Sequence, residues 1–221
     1  MPDHPSWDVL LPTIPHRHET LCALLAEIDR QWQPGLGMLI MRDNLERPGN
    51  AHYAKMQELE ELSQADYTSF MGDDDMIAPG FVATIMEALQ SGPDYVGFPV
   101  RYTLDGVPQM PVEHSLRHGT WENRPDILLR DIAPHNPMRR ELALLATWRT
   151  DHHSADRTWA EDLRATGKVR NEVWIPEPMY WYQATSASFS RWGDAGSPAP
   201  LPEDQIPPLP SYHWLTSYGT C

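Results

Sequence analysis

The sequence predicts an α/β fold, with a mainly parallel sheet flanked by helices in its first half and a mixed, loop-rich second half. Three observations predict it. Short apolar runs rich in Val, Leu, Ile and Met recur through residues 7–103, and stretches with helical spacing separate them. Each run stops at a polar or proline-containing loop, as strands do at a sheet end. No internal repeat points to a solenoid instead. The resulting order of strand, helix, strand, helix, strand, helix, strand argues for parallel pairing with helices on both faces.

Trp7 to Leu11 reads as a buried strand stopped by Pro12. After the loop PTIPHRHE, Leu21, Leu24, Leu25 and Ile28 recur at helical spacing, giving an amphipathic helix to about Arg30. Gly35 and Gly37 break the chain before a second strand, Met38 to Met41, which ends in Arg42-Asp43-Asn44. A polar loop with Pro48-Gly49 leads to a helix from about His52 to Gln64. The third strand, Tyr67 to Met71, runs directly into Gly72-Asp73-Asp74-Asp75. Pro79 suits the first turn of the next helix, where its missing N–H costs nothing, and that helix runs to about Gln90. Tyr95 to Thr103 is a strand, followed by the hairpin dipeptide Asp105-Gly106.

The second half has weaker periodicity. Residues 107–135, rich in Pro and His, read as a long loop or small subdomain. Arg139 to Trp148 and Ala155 to Thr166 have helical patterns, and Val173 to Tyr182 reads as a strand interrupted by prolines. From Asp194 to Pro210 proline is so frequent that an extended, surface-wrapping segment is expected. The sequence is read as one domain over 1–221, divided into a first half over 7–105, a second half over 106–193 and a tail over 194–221.

Composition narrows the function. Of 221 residues 31 are acidic and 17 basic, for a formal charge of −14, which disfavours stable nucleic-acid binding. No apolar run approaches the roughly 20 residues that span a bilayer, and MPDHPSWDVLLPT has no basic segment followed by an apolar core. No membrane association and a cytoplasmic location are therefore expected. Two cysteines, Cys22 and Cys221, form no zinc spacing and no CxxC pair; Cys22 reads as buried filler.

In open parallel sheets ligands bind beyond the carboxyl ends of the strands. Here those ends carry Thr13, His16 and Arg17, then Asp43 and Asn44, then the Asp73–Asp75 triplet. Three adjacent carboxylates repel one another, and a hard cation with oxygen ligands relieves that repulsion. The competing reading is a helix start, where acidic residues compensate the dipole.

Five segments carry a resemblance. ADYTSFMGDDDMIAPGFV resembles the Asp-x-Asp region of family 2 glycosyltransferases, and VLLPTIPHRHETLCALLAEI resembles that family's opening strand, Pro-Thr loop and first helix. LIMRDN resembles its second strand, WAEDL its Glu-Asp motif, and IPEPMYWYQATSASFS its closing strand. They occur in the family's order over roughly residues 7–190. The resemblance implies a GT-A fold, a nucleoside-diphosphate sugar donor, Mn²⁺ or Mg²⁺, and inversion at the anomeric carbon. It places Thr13, Arg17, Asp43, Lys55 and Asp74 at the nucleotide-sugar, Asp73 and Asp75 at the metal, and Asp162, or else Glu161, as general base. Gly72 stands where the family's leading Asp is usual, and Gln183-Ala184-Thr185 lacks the His that many relatives have in the closing strand.

Other readings stand beside these. Arg157 and Glu161, four apart, could be a surface helix pair with Asp162 solvated beside them. His152-His153 read as loop histidines. His135-Asn136-Pro137 with Arg139 and Arg140 could shape an acceptor side, hold a phosphate, or be a helix start. Trp148, Trp159 and Trp181 could stack on a sugar or fill the core. A catalytically inactive nucleotide- or sugar-binding module is the alternative to an enzyme. A sugar nucleotidyltransferase is the weaker one, because PTIPHRHE contains no glycine. The acceptor, whether protein, glycan or modified nucleobase, is not specified by the sequence.

Overall fold

A computed structural model describes residues 4–45, 47–150, 155–186, 205 and 207–218. In chain order the first half contains β1 (Trp7–Thr13), α1 (His18–Gln31), β2 (Leu36–Arg42), α2 (Ala51–Leu62), β3 (Tyr67–Phe70), β4 (Met76–Ile77), α3 (Phe81–Leu89) and β5 (Tyr95–Leu104). The second half contains β6 (Val107–Pro108), β7 (Val112–His114), β8 (Glu122–Asn123), β9 (Leu128–Arg130), β10 (Met138–Arg139), α4 (Arg140–Ala143), α5 (Ala155–Ala165), β11 (Glu172–Trp174), β12 (Tyr180–Ala184) and β13 (Leu215–Tyr218).

The sheet path runs β13-β2-β1-β3-β10-β5-β7-β9-β8. β1 lies between β2 and β3 and is parallel to both, Trp7 facing Leu36 on one side and Tyr67 on the other. β10 then enters antiparallel between β3 and β5. β5 is the long hub: β11 and β12 join it in parallel, and β6 and β7 antiparallel.

Strand alternation divides the core between the two faces. Val9, Leu11, Met38 and Ile40 pack with Leu21, Leu24, Leu25 and Ile28 of α1 and Phe81, Val82 and Ile85 of α3. Leu10, Leu39, Met41 and Phe70 face the other way, onto Tyr53, Met56 and Leu59 of α2 and Trp159 and Leu163 of α5. β1 is thus buried on both sides, which is why Val9, Leu10 and Leu11 are apolar in succession.

The first half keeps the expected element order, with boundaries moved by a few residues. α3 starts at Phe81 instead of Pro79, because Gly80 precedes it at φ +78°, outside the helical region. Asp105 and Gly106 both adopt positive φ and turn β5 into β6, as the dipeptide predicts.

The second half departs more. Residues 107–135, expected as a long loop or small subdomain, carry four short strands: β6 and β7 pair with β5, β9 with β7, and β8 with β9. The helix expected over Arg139–Trp148 is one turn, Arg140–Ala143, because Met138–Arg139 are taken as an antiparallel rung between β3 and β5. The strand expected over Val173–Tyr182 is two, split where Pro176 and Pro178 remove ladder donors. Leu215–Tyr218 form a parallel edge strand on β2 that the sequence reading missed. Most of the proline-rich 194–210 segment lies outside the described residues. Among the described residues no helix is long and apolar enough to cross a membrane.

Candidate active site

The carboxyl ends of β1, β2 and β3 meet at one rim of the sheet. Thr13 ends β1, Asp43 follows β2, and the acidic triplet follows β3 by way of Met71 and Gly72. A turn of 3-10 helix, Pro15–Arg17, brings Arg17 back over this rim at the start of α1.

The triplet's three members behave differently. Asp73 is buried; it accepts a very short hydrogen bond from Thr13 Oγ1 and one of 2.6 Å from Arg17 Nη1. The same Nη1 lies 3.0 Å from Oδ2 of Asp74, so two carboxylates converge on one cationic nitrogen. Burial alone would lower the pKa of Arg17, but Asp73 and Asp74 outweigh it and the group is held more firmly charged. Asp74 is the exposed member, its side chain 40% accessible.

Asp75 turns inward. Tyr180 Oη donates to its Oδ2 at 2.5 Å and the Gln183 amide donates to its Oδ1 at 2.8 Å, while Tyr180 accepts from the Gly72 N–H. Burial pushes the Asp75 carboxyl up to about 7 despite those two donors. This fold-back explains Gly72, because a Cβ there would lie 2.5 Å from Asp75 Oδ2.

Asp43 and Lys55 form a second, buried knot. Lys55 Nζ donates to the main-chain oxygens of Thr13 (2.6 Å) and Asp43 (2.5 Å) and sits 3.5 Å from the Asp43 carboxylate. Arg47 clamps that carboxylate through both terminal nitrogens at 2.7 and 3.1 Å. Burial raises the pKa of Asp43, but Arg47, the Leu45 amide and Lys55 outweigh it and hold the carboxyl below its usual range. Lys55 thus ties the ends of β1 and β2 together, with its donors already engaged by the protein. On the opposite face of β2, Arg42 is buried with no carboxylate partner among the described residues, donating to His18 Nδ1 and to the Pro207 carbonyl. Cys22 stands beside His18 and is only half-buried.

Beside the triplet, on the second-half side of Tyr180, lies a cavity of about 280 Å³. Tyr102, Tyr182, Trp121, His135, Tyr180 and Asp156 are among its walls. His135 stacks on Tyr180 at 5.2 Å, meets His114 edge-on at 4.5 Å, and has its Nε2 buried with no hydrogen-bond partner among the described residues. Burial keeps both histidines neutral, His114 down to about 3 and His135 well below its ordinary value. Trp121 lies under two guanidinium groups, Arg130 at 4.8 Å and Arg157 at 5.8 Å.

α5 contributes Asp156 to this cavity and neither Glu161 nor Asp162. Asp162 accepts two bonds from Arg149 Nη2, at 2.9 and 2.8 Å, and both side chains are half-exposed. Glu161 pairs with Arg157 on the same helix surface. Asp156 was missed by the sequence reading, although a signal existed: Trp159, Ala160 and Leu163 lie three, four and seven residues on, so Asp156 heads the buried stripe of its helix. Burial raises its pKa.

Trp148 and Trp159 stack on each other in the core, leaving no face for a sugar. Trp181 carries Arg101 at 5.5 Å. Arg139 and Arg140 bond to carbonyls of Gly92 and of Glu60 and Glu61, and Asn136 to that of Val96, so these three serve the fold. His152 and His153 lie outside the described residues.

An ion of the Mg²⁺ or Mn²⁺ type has a partial match here. Among the described residues no three His, Cys, Asp or Glu side chains converge. Two do, Asp73 and Asp74, which is the carboxylate number that suits a hard cation completed by phosphate oxygens and water.

No protein-family profile matches the chain, and no curated protein matches it in sequence. Solved structures do match in shape. TarS 1–349 of S. aureus in complex with UDP-GlcNAc aligns with a TM-score of 0.62 at 12% identity, over 80% of this chain and 58% of that one. TarS 1–349 in complex with UDP aligns at 0.60 and 13%, over 85% and 63%. TarS aligns at 0.59 and 12%, over 85% and 38%. This chain therefore spans less than two thirds of each. Its large mixed sheet flanked by helices is a GT-A-like glycosyltransferase fold.

Proposed function

We propose that this protein is a glycosyltransferase that takes a sugar from a nucleoside-diphosphate donor, UDP in the first instance, and transfers it with inversion to a hydroxyl acceptor. The observation that carries this reading is the convergence of three strand ends on one rim, with Arg17, Asp73 and Asp74 focused on a point beside a half-open aromatic cavity. The match to UDP- and UDP-GlcNAc-bound TarS in shape supports it.

In this reading the nucleotide lies along Thr13 and Asp43, and the diphosphate meets Arg17. Asp73 and Asp74 would hold a divalent cation, which when bound supplies charge neutralisation for the leaving diphosphate. The cavity receives the acceptor. Asp156, not Asp162, takes the acceptor hydroxyl's proton as the new C1–O bond forms and the C1–O bond to the diphosphate breaks, the electron pair leaving with the nucleotide. Its burial supports that role, because a carboxylate with a raised pKa is the better base. The aromatic walls exclude water and present flat faces to a sugar or other hydroxylated ring.

The test is a panel of nucleotide sugars assayed for hydrolysis with Mn²⁺, together with thermal shift by UDP. Turnover of at least one donor, and stabilisation by UDP that chelator abolishes, are expected. Donor binding without turnover under any condition would leave the inactive binding module as the better reading, and stabilisation unaffected by chelator would remove the cation.

A further inference from the structure

Arg17 occupies the place between Asp73 and Asp74 where a cation would sit. One nitrogen, Nη1, lies 2.6 Å from Asp73 Oδ1 and 3.0 Å from Asp74 Oδ2. Mg²⁺ holds carboxylate oxygens at about 2.0–2.1 Å, so an ion shared by these two oxygens and this guanidinium cannot occupy the point together.

We propose that Arg17 is a tethered competitor for the divalent cation, and that a donor diphosphate frees the site by drawing the guanidinium onto itself. The proposal rests on the donor-site reading above and extends it to the coupling between ion and donor.

Three observations and one physical argument support it. Arg17 is the one basic side chain hydrogen-bonded to the triplet among the described residues: Lys55 is engaged by two carbonyls and Asp43, and Arg47 by Asp43 and Glu58. Asp75 offers no alternative ligand while Tyr180 and the Gln183 amide bind both its oxygens. The Arg17 side chain is 37% exposed, on a 3-10 turn at the rim, so it can swing without unpacking the core. Being tethered, it competes at high effective concentration whatever the ionic composition of the medium.

A diphosphate changes the balance. Its oxygens accept the planar guanidinium in a fork, a better partner than two divergent carboxylates. Once Arg17 leaves, Asp73 and Asp74 are uncompensated neighbours, and their mutual repulsion favours a divalent ion between them. Each ligand then improves the site for the other, by the same factor in either order of addition.

The experiment titrates Mn²⁺ alone into the full chain by calorimetry, then repeats the titration with saturating UDP, for the wild type, Arg17→Met and Asp74→Asn. Wild type should bind Mn²⁺ weakly without UDP. Arg17→Met should bind Mn²⁺ alone about tenfold or more tightly than wild type, and the tightening by UDP should shrink by a similar factor. Asp74→Asn should lose the ion in both conditions. Arg17→Gln gives a second neutral side chain should methionine disturb the start of α1. If wild type binds Mn²⁺ with UDP while both Arg17 variants bind Mn²⁺ alone no more tightly than wild type, the competitor role is overturned and the donor site stands. If wild type takes up no UDP with or without Mn²⁺, the donor-site reading falls and this proposal falls with it.

Discussion

The two sides of the site are built differently. On the first-half side, Thr13, Asp43, Lys55 and Asp73 are locked by one another and by main-chain carbonyls at the ends of parallel strands. On the second-half side, the cavity is walled by strands of three to ten residues, by loop residues including His135, and by Asp156 of α5; among the described residues the buried His135 Nε2 has no hydrogen-bond partner and the half-buried Asp156 has no ion-pair partner. Tyr180 joins the sides, with its ring against His135 and its hydroxyl on Asp75. A preorganised, self-satisfied rim suits recognition of one constant ligand. A cavity with an unsatisfied polar atom, His135 Nε2, suits chemistry, because that atom gains a partner only when a substrate arrives.

The largest effect expected from this contrast is at Asp156. Asp156→Asn should lower transfer by roughly 10²–10⁴ while UDP affinity stays within a few-fold, whereas Asp162→Asn should leave both near wild type. Steady-state rates with calorimetric UDP binding decide it. A large loss at Asp162 with none at Asp156 would return the base to the Arg149-paired surface position.

Next in size is a buried carboxyl that serves only the fold. Glu60 on α2 accepts from Thr68, and burial raises its carboxyl to about 7, with the Thr68 bond opposing. A folded-state value above the unfolded one means stability present at low pH and lost as pH rises from about 4.5 through about 7. Glu60→Gln keeps the acceptor oxygen and removes the ionisation. It should therefore match wild type near pH 5 and exceed it by up to about 3 kcal/mol at pH 8, with transfer unchanged. Urea unfolding at the two pH values measures it; a pH-independent difference would show that Glu60 is ionised in the fold.

A smaller loss should follow from Gly72→Ala. The added methyl meets the Asp75 carboxylate, so either the Tyr180–Asp75 bond lengthens or the strand end shifts, at a cost of about 1–3 kcal/mol. Unfolding midpoints would show this, and an unchanged midpoint would mean that Asp75 turns outward freely. Smallest of all is Glu161→Gln, which removes an exposed pair four residues apart and should change stability by no more than about 0.5 kcal/mol.

The same contrast explains what was legible beforehand. Trp7–Thr13 and Leu36–Arg42 are apolar on both faces, and α1 has a clean stripe, so period and punctuation place them and the rim that follows. The acidic triplet was legible as a cluster; the inward turn of Asp75 was not, because Tyr180 and Gln183 reach it from more than a hundred residues away. Met138–Arg139 show the general obstacle, since two residues become a strand only because β3 and β5 leave a gap between them. Asp162 and Glu161 were singled out by the resemblance of WAEDL to a Glu-Asp motif, which order along the chain supplies. That Asp156 lines the cavity follows from how α5 packs against distant strands, although its place at the head of the buried stripe of α5 is visible in the sequence.

The pairing of β13 with β2 has a consequence for synthesis. Leu215–Tyr218 lie alongside Met38–Met41, 177 residues later in the chain. At translation speeds of about 5–20 residues per second, the outer edge of β2 waits some ten to thirty seconds for its partner. During that interval the nascent first half exposes an apolar, unpaired strand edge, the kind that recruits neighbours on a polysome. Shortening the protein before residue 215 would make that transient state permanent. Aggregation during expression, rather than reduced turnover, is the first sign such a truncation should give.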